Sequence, residues 1–271
     1  MLFRSDATVG DVKVSADTTA SLTANLSTEA SSSGGSKFGA GTSVAVNGMV
    51  ATNVARGETE AKIENSDVAA GGDVSVNASN TSSVDATVEN ATTSGDAAIG
   101  VTVAFNSVGY ESEDILSNSV DALLGKSVLG TDEASGATAF ISDTTVDAGG
   151  AVDVSATAAS TMQSSVSNET ESSASALLGA TGISVGTVVV SNKAASAAEA
   201  YIESSDESST VNISGDDGVS VSATDNSNID ASVTLVAASE TSNTSPFSNS
   251  DSIGVAAAVV MNDVKGGAKS R

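Results

Sequence analysis

One eight-residue pattern occurs four times along the chain, and it limits what the rest can fold into. It reads GDVKVSAD (Gly10–Asp17), GDVSVNAS (Gly72–Ser79), GAVDVSAT (Gly150–Thr157) and DGVSVSAT (Asp217–Thr224). The leading valines Val12, Val74, Val152 and Val219 are separated by 62, 78 and 67 residues. A sequence that repeats at this scale builds repeated supersecondary units, not one irregular globule. Within each copy two Val and one Ala alternate with polar residues, the period-two signature of a strand with one buried face.

A second feature holds its place in every copy. Eight residues beyond the second Val stands another large apolar residue: Leu22, Val84, Met162 and Ile229. Each opens a second alternating stretch, such as Leu22-Ala24-Leu26. The constant offset predicts a fixed turn between two separate strands. A Ser/Thr/Glu-rich connector of variable length follows and reads as a loop.

A third strand then ends in Asn each time, at Asn47, Asn106, Asn192 and Asn262, after TSVAV, VTVAF, TVVVS and AAVVM. Both faces of this strand are small or apolar, so burial on both sides is expected. Its Asn residues are expected to stack as a hydrogen-bonded ladder. A fourth strand carries Ala-x-Ile at Ala61/Ile63, Ala139/Ile141 and Ala200/Ile202. Gly-bearing turns, AAGGD (Ala69–Asp73) and DAGG (Asp147–Gly150), lead back to the first strand, where Gly tolerates positive φ.

These signals together predict an all-β fold, a parallel β-solenoid of about four degenerate repeats of 62–78 residues. The units run approximately 11–72, 73–150, 151–217 and 218–271, the last without its Ala-x-Ile strand, and form one continuous body over 1–271. With two or three coils per unit at about 4.8 Å each, a dozen or so coils would give a rod on the order of 60 Å long. The competing architecture is a tandem of small β-sandwiches, for which 62 residues is short. Repeat two also carries an insertion around Ser112–Gly130. There Leu116, Val120, Leu123 and Leu124 follow helical spacing and predict a short helix lying on the sheet.

Composition narrows the function. Only 3% of the residues are aromatic, so the 39% apolar share is mostly Ala and Val, which suits a thin core. The chain has no His and no Cys, which excludes a Ser/His/Asp triad, a thiol nucleophile, the usual zinc sites and disulfides. A net charge of −24 argues against nucleic acid and anionic lipid. The longest stretch of low polarity, Leu177–Val190, is interrupted and shorter than the roughly 20 residues of a membrane helix. The opening MLFRSDATVG has no apolar segment of the signal-peptide kind.

The combination of apolar strand, Asn, Ala-x-Ile and (A)GG-D-V-x-V-x-A resembles the tandem repeats of giant exported bacterial surface proteins. Among these are filamentous-haemagglutinin-like adhesins and the repeat region of fusobacterial leukotoxin. The resemblance covers nearly the whole chain. It implies a secreted or cell-surface location and a structural role in adhesion, matrix or filament building. The alternative it leaves open is a binding module that recognises a glycan or host receptor along one flank. Neither end shows a polar capping segment, and LFRSDATVGDV resembles the end of a fourth strand, so end-to-end self-association or neighbouring repeats of a longer chain are the expected partners.

Candidate sites follow from the same pattern. Asp73, Asp147, Asp216 and Asp217 sit beside Gly at equivalent corners, with Asp6 and Asp11 at the matching N-terminal corner. Carboxylates on turns can hold Ca²⁺, but GGxGxD and the twelve-residue EF-hand loop are absent, so solvated turn carboxylates are the reading and calcium the alternative. The third strand is the expected assembly face, through Val44, Val46, Val103, Phe105, Val189, Val259 and Met261. No catalytic residues or cofactors are expected. The carboxylate pairs Glu111/Glu113/Asp114 and Glu169/Glu171 lack the aromatic and basic neighbours that glycan cleavage needs. Asn25, Asn77, Asn80, Asn90, Asn168, Asn212 and Asn243 head formal glycosylation motifs.

Overall fold

The computed structural model describes residues 3–7, 10–34, 42–109, 135–176, 180–205, 209–215, 218–243 and 250–271. Those residues are all-β, with no helix among them. The insertion expected to be helical, Ser112–Gly130, lies outside the described residues.

Three sheets form, and every strand pair in them is parallel. The first holds the long strands β2 (Val12–Ser32), β6 (Val74–Ser94), β10 (Val152–Ala176) and β13 (Val219–Asn243), side by side in sequence order. The second holds β3 (Val44–Ala55), β7 (Ala97–Val108), β11 (Thr181–Glu203) and β14 (Asp251–Lys265), and runs on into β4 (Glu58–Glu64), β8 (Ser135–Ser142) and β15 (Ala268–Ser270). Strand β11 is long enough to serve both stretches, pairing with β7 and β14 first and with β8 and β15 beyond Ser196. The third is made of the short strands β1 (Phe3–Ala7), β5 (Ser66–Ala70), β9 (Thr145–Ala148) and β12 (Val211–Ile213).

The register follows the repeat. Val12 opposes Val74, Val74 opposes Val152, and Val152 opposes Val219, so each copy lies against the next. Ala61/Ile63, Ala139/Ile141 and Ala200/Ile202 are aligned in the same way. A tandem of small sandwiches is excluded, since the hydrogen bonds that pair strands run between successive copies and not within a copy.

This pairing overturns three expectations. No turn divides the long strand: β2 continues from Val12 through Leu22 to Ser32, and an offset of eight, being even, simply keeps both apolar groups on one face. The apparent turn residues are inward polar side chains with partners. Asn80 is buried and its Nδ2 donates to the carbonyls of Gly57 (2.8 Å) and Gly136 (3.0 Å) across the interior. Nor does a repeat make two or three coils. Strands of consecutive copies bond directly, so four copies stack about 14 Å deep, not 60 Å. The last copy also has a fourth strand, because Ala268–Ser270 pairs with Ala198–Ala200.

The first sheet packs against the other two, and the core between them is thin. Val74, Val76, Val152 and Val154 meet Ala61, Ile63, Ala139 and Ile141 in one cluster, while Val88 and Val166 meet Ala51, Ala104 and Val188 in another. Each fully buried valine contributes about 1.5–3 kcal/mol. Small residues let the two layers approach closely, which explains how a chain poor in aromatics still closes a core.

Two of the corners between the fourth and returning strands use a left-handed residue. Asn65 (φ 50°) and Asp143 (φ 46°) occupy it, residue types that tolerate this region. Their amides donate to Ser142 O and Glu203 O, both at 3.1 Å, so even the corner is bonded to the next copy.

Candidate functional site

Alternation along β3, β7, β11 and β14 points every second residue away from the core. Register then lines these residues up in columns: Val46, Ile99, Val185 and Val255 form one, and Val50, Val103, Val189 and Val259 another. All seven residues expected on an assembly face, Val44, Val46, Val103, Phe105, Val189, Val259 and Met261, fall on this outward side. The structure adds Val50, Val101, Ile183, Ile253 and Val255, which are also exposed there.

Burial on both faces is not observed. Val46 is 64% exposed, Val44 53% and Val101 39%, so these side chains are open to solvent. Apolar residues on both faces normally signal a central layer, but among the described residues no second layer lies over this stretch. Towards the end of the stretch the outward positions are closed: Phe105 is only 4% exposed, and Ser191 opposite it is 2% exposed.

The contrast with the opposite surface is sharp. Outward positions on the first sheet are mainly Ser and Thr and carry Asp17, Glu29, Asp85, Glu89, Asp153, Glu169, Glu171, Asp230 and Glu240. Glu169 and Glu171 are exposed at alternate positions on this face. Glu111, Glu113 and Asp114 lie outside the described residues.

The asparagine ladder exists, with one member corrected. Asn53 Nδ2 donates to Asn106 Oδ1 (2.8 Å), Asn106 Nδ2 to Asn192 Oδ1 (2.9 Å), and Asn192 Nδ2 to Asn262 Oδ1 (2.9 Å). Asn47 is not in it. It opposes Gly100, and its amide donates to Ala91 O at 3.2 Å while its Oδ1 accepts from Thr28. TSVAVN and MVATN both fit the motif, and only the pairing of β3 with β7 selects Asn53.

The corner aspartates Asp11, Asp73 and Asp147 each bond to the next copy. Asp11 Oδ1 accepts from the Asp73 amide (3.0 Å), and Asp73 Oδ1 accepts from the Ala151 amide (2.8 Å), each reaching into the next copy. Asp147 Oδ1 accepts from Asn212 Nδ2 at 2.8 Å. Among the described residues no group of three or more carboxylates is placed to hold a metal ion. Asp216 and Asp217 lie outside them, and so does the side chain of Asp6.

Three of the glycosylation motifs point inward. Asn80, Asn90 and Asn168 are buried, and their amide groups donate within the interior. Asn25 and Asn212 are exposed, Asn77 is half-buried, and the side chain of Asn243 lies outside the described residues.

One cluster was not expected, although Lys62, Phe140 and Tyr201 are the middle residues of the three Ala-x-Ile motifs. Lys62, Phe140, Tyr201 and Arg271 come from four different copies and stand in one column of the fourth strands. Phe140 and Tyr201 stack with centroids 4.8 Å apart and rings 4° from parallel. Lys62 Nζ lies 5.6 Å from the Phe140 centroid, and the Arg271 guanidinium 4.9 Å from that of Tyr201. Flanking carboxylates complete the arrangement: Lys62 reaches Glu60 (2.8 Å), and Arg271 reaches Glu203 (3.2 Å). The aromatic pair contributes about 0.5–1.5 kcal/mol beyond its buried area.

Burial, then the negative charges of Glu203 and Glu199, push the Tyr201 phenol above its ordinary value of 10.0. A folded-state value above the unfolded one favours the protonated phenol. The stability it contributes is therefore complete below pH about 10 and is lost as pH rises through the folded value. Ultraviolet titration of a Tyr110→Phe variant, which leaves Tyr201 as the one tyrosine, is expected to give a midpoint above 10. A midpoint at or below 10 would contradict this environment.

No family model, curated protein or solved structure matches this chain.

Proposed function

We propose that the chain is a non-catalytic structural module of an extracellular bacterial fibre or giant adhesin, a parallel β-solenoid whose copies stack end to end. The observation that carries this reading is the in-register parallel pairing of four successive repeats, together with the edge the last of them presents. Inward-facing Val219, Val260 and Val264 on that copy are 53%, 46% and 49% exposed, whereas Val152, Val190 and Ala194, their counterparts one copy earlier, are at 0%. Each added copy would cover that edge, satisfy the open backbone groups of β13 and β14 and present the same edge again. Repeats of a longer chain or the first strands of a second molecule supply the same chemistry.

The surface supports a mechanical role. The first sheet offers a solvated Ser/Thr and carboxylate face, the kind that keeps a long assembly soluble. The motif resemblance to exported bacterial repeats supports the extracellular placement.

Negative-stain electron microscopy across a concentration series tests the stacking. Assemblies of uniform width that lengthen with concentration are expected. Single particles about 14 Å deep at every concentration would overturn end-to-end stacking by this chain.

A further inference from the structure

We propose that the uncharged outer face of the β3–β7–β11–β14 sheet is a lateral docking surface for a second copy of this chain, packed face to face. Over residues 44–50, 97–103, 183–189 and 253–259 the outward positions form a grid of four strands by four columns. Every position in it is uncharged, and all are apolar except Gly48 and Thr187.

Charge identifies the occupant. With a net charge of −24, two copies repel each other over most approaches. The opposite outer face carries nine carboxylates, so it cannot pair with itself or with this one at low cost. The uncharged grid is where two such molecules can meet without opposing like charges. A polyanionic or strongly cationic partner would find nothing to bind there.

Geometry agrees. Columns of β-branched residues on a parallel sheet form straight ridges, and two such surfaces related by a two-fold axis can interdigitate at about 10 Å. The grid covers about 23 by 19 Å, so a pair buries on the order of 900 Å² in total, the size of a weak, reversible interface. A dissociation constant of about 10–100 µM is expected for single copies. This pairing uses outward side chains of β14 but neither the backbone groups nor the inward side chains of the stacking edge, and does not depend on end-to-end assembly.

Sedimentation velocity up to about 500 µM tests it with four variants. Val46→Glu/Val101→Glu places four carboxylates in the pair and is expected to weaken it at least about 100-fold. Val46→Thr/Val101→Thr keeps shape and strand propensity, so it guards against misfolding, and should weaken the pair about tenfold. Thr81→Glu, on the opposite outer face, is expected to leave it unchanged. Val260→Asp, at the stacking edge, should stop lengthening while pairs persist. The proposal is overturned if the unmodified chain stays monomeric, if pairs survive Val46→Glu/Val101→Glu, or if Val260→Asp removes them. Recruitment of the chain to phosphatidylcholine vesicles through Val46 and Val101, in place of pairing, would assign the face to lipid and overturn it too.

Discussion

Replacing Asn106 with alanine is expected to destabilise the fold by about 2–5 kcal/mol. Asn106 is 1% exposed and sits between two others, accepting from Asn53 Nδ2 and donating to Asn192 Oδ1. Truncation orphans a buried donor and a buried acceptor at once, and each orphan costs about 1–3 kcal/mol. Asn47→Ala is expected to cost much less, because Asn47 is half-buried and outside the ladder. Chemical denaturation of the two variants separates the assignments, and equal losses would show that the ladder has no special weight.

Asn106→Asp sharpens the test. An ionised carboxylate there can accept from Asn53 but cannot donate to Asn192, and among the described residues the partners of Asn106 are Asn53, Ser164 and Asn192, none of them a cation. A protonated one donates and restores the chain of bonds. Burial raises the folded-state value of such a carboxyl above its unfolded value near 4. The variant is therefore closest to the parent below pH about 4 and falls behind as pH rises through the folded value. A difference between variant and parent that does not change between pH 3.5 and pH 7 would exclude the mechanism.

How far the sequence could be read depended on whether a residue's role is set locally or by register. The Val-x-Val-x-Ala strands and the Ala-x-Ile strands were legible because large side chains at constant offsets must share a face. Their alignment across copies matched the pairing observed. The continuity of the long strand was hidden by Asn80, Ser82 and Ser160, which resemble turn residues until the carbonyls of Gly57 and Gly136 come opposite Asn80. Asn53 was missed because two nearby segments fit one motif. The seven residues expected on an assembly face share one side of the third strand, but the exposure of that side was not legible, since an apolar strand looks the same whether or not a layer lies over it. The column of Lys62, Phe140, Tyr201 and Arg271 was hidden for another reason: its first three members fill the middle of the Ala-x-Ile motifs, but that position varies in chemistry from copy to copy, and Arg271 lies in a copy without the motif.

Register also sets the second large effect. At the returning corner, Gly71, Gly149 and Gly215 stand over one another, and a Cβ on Gly149 would lie 2.3 Å from Gly71 O. The obstructing atom is backbone, so no side chain can swing aside. Gly149 also donates its amide to Ala70 O at 2.9 Å, which ties the same corner to the copy before it. Gly149→Ala must therefore push two stacked copies apart, at a cost of about 1–3 kcal/mol and with the loss rising for Gly149→Val. Gly48 provides the comparison: it lies mid-strand on the outer face, and a Cβ added there would meet nothing within 4 Å. Gly48→Ala is expected to stabilise by about 0.4–1 kcal/mol through the unfolded chain. Thermal melting of the two single variants gives opposite signs if copies are held in contact at this corner. Equal small shifts would mean that the corner relaxes freely, and close stacking of successive repeats would lose its main steric constraint.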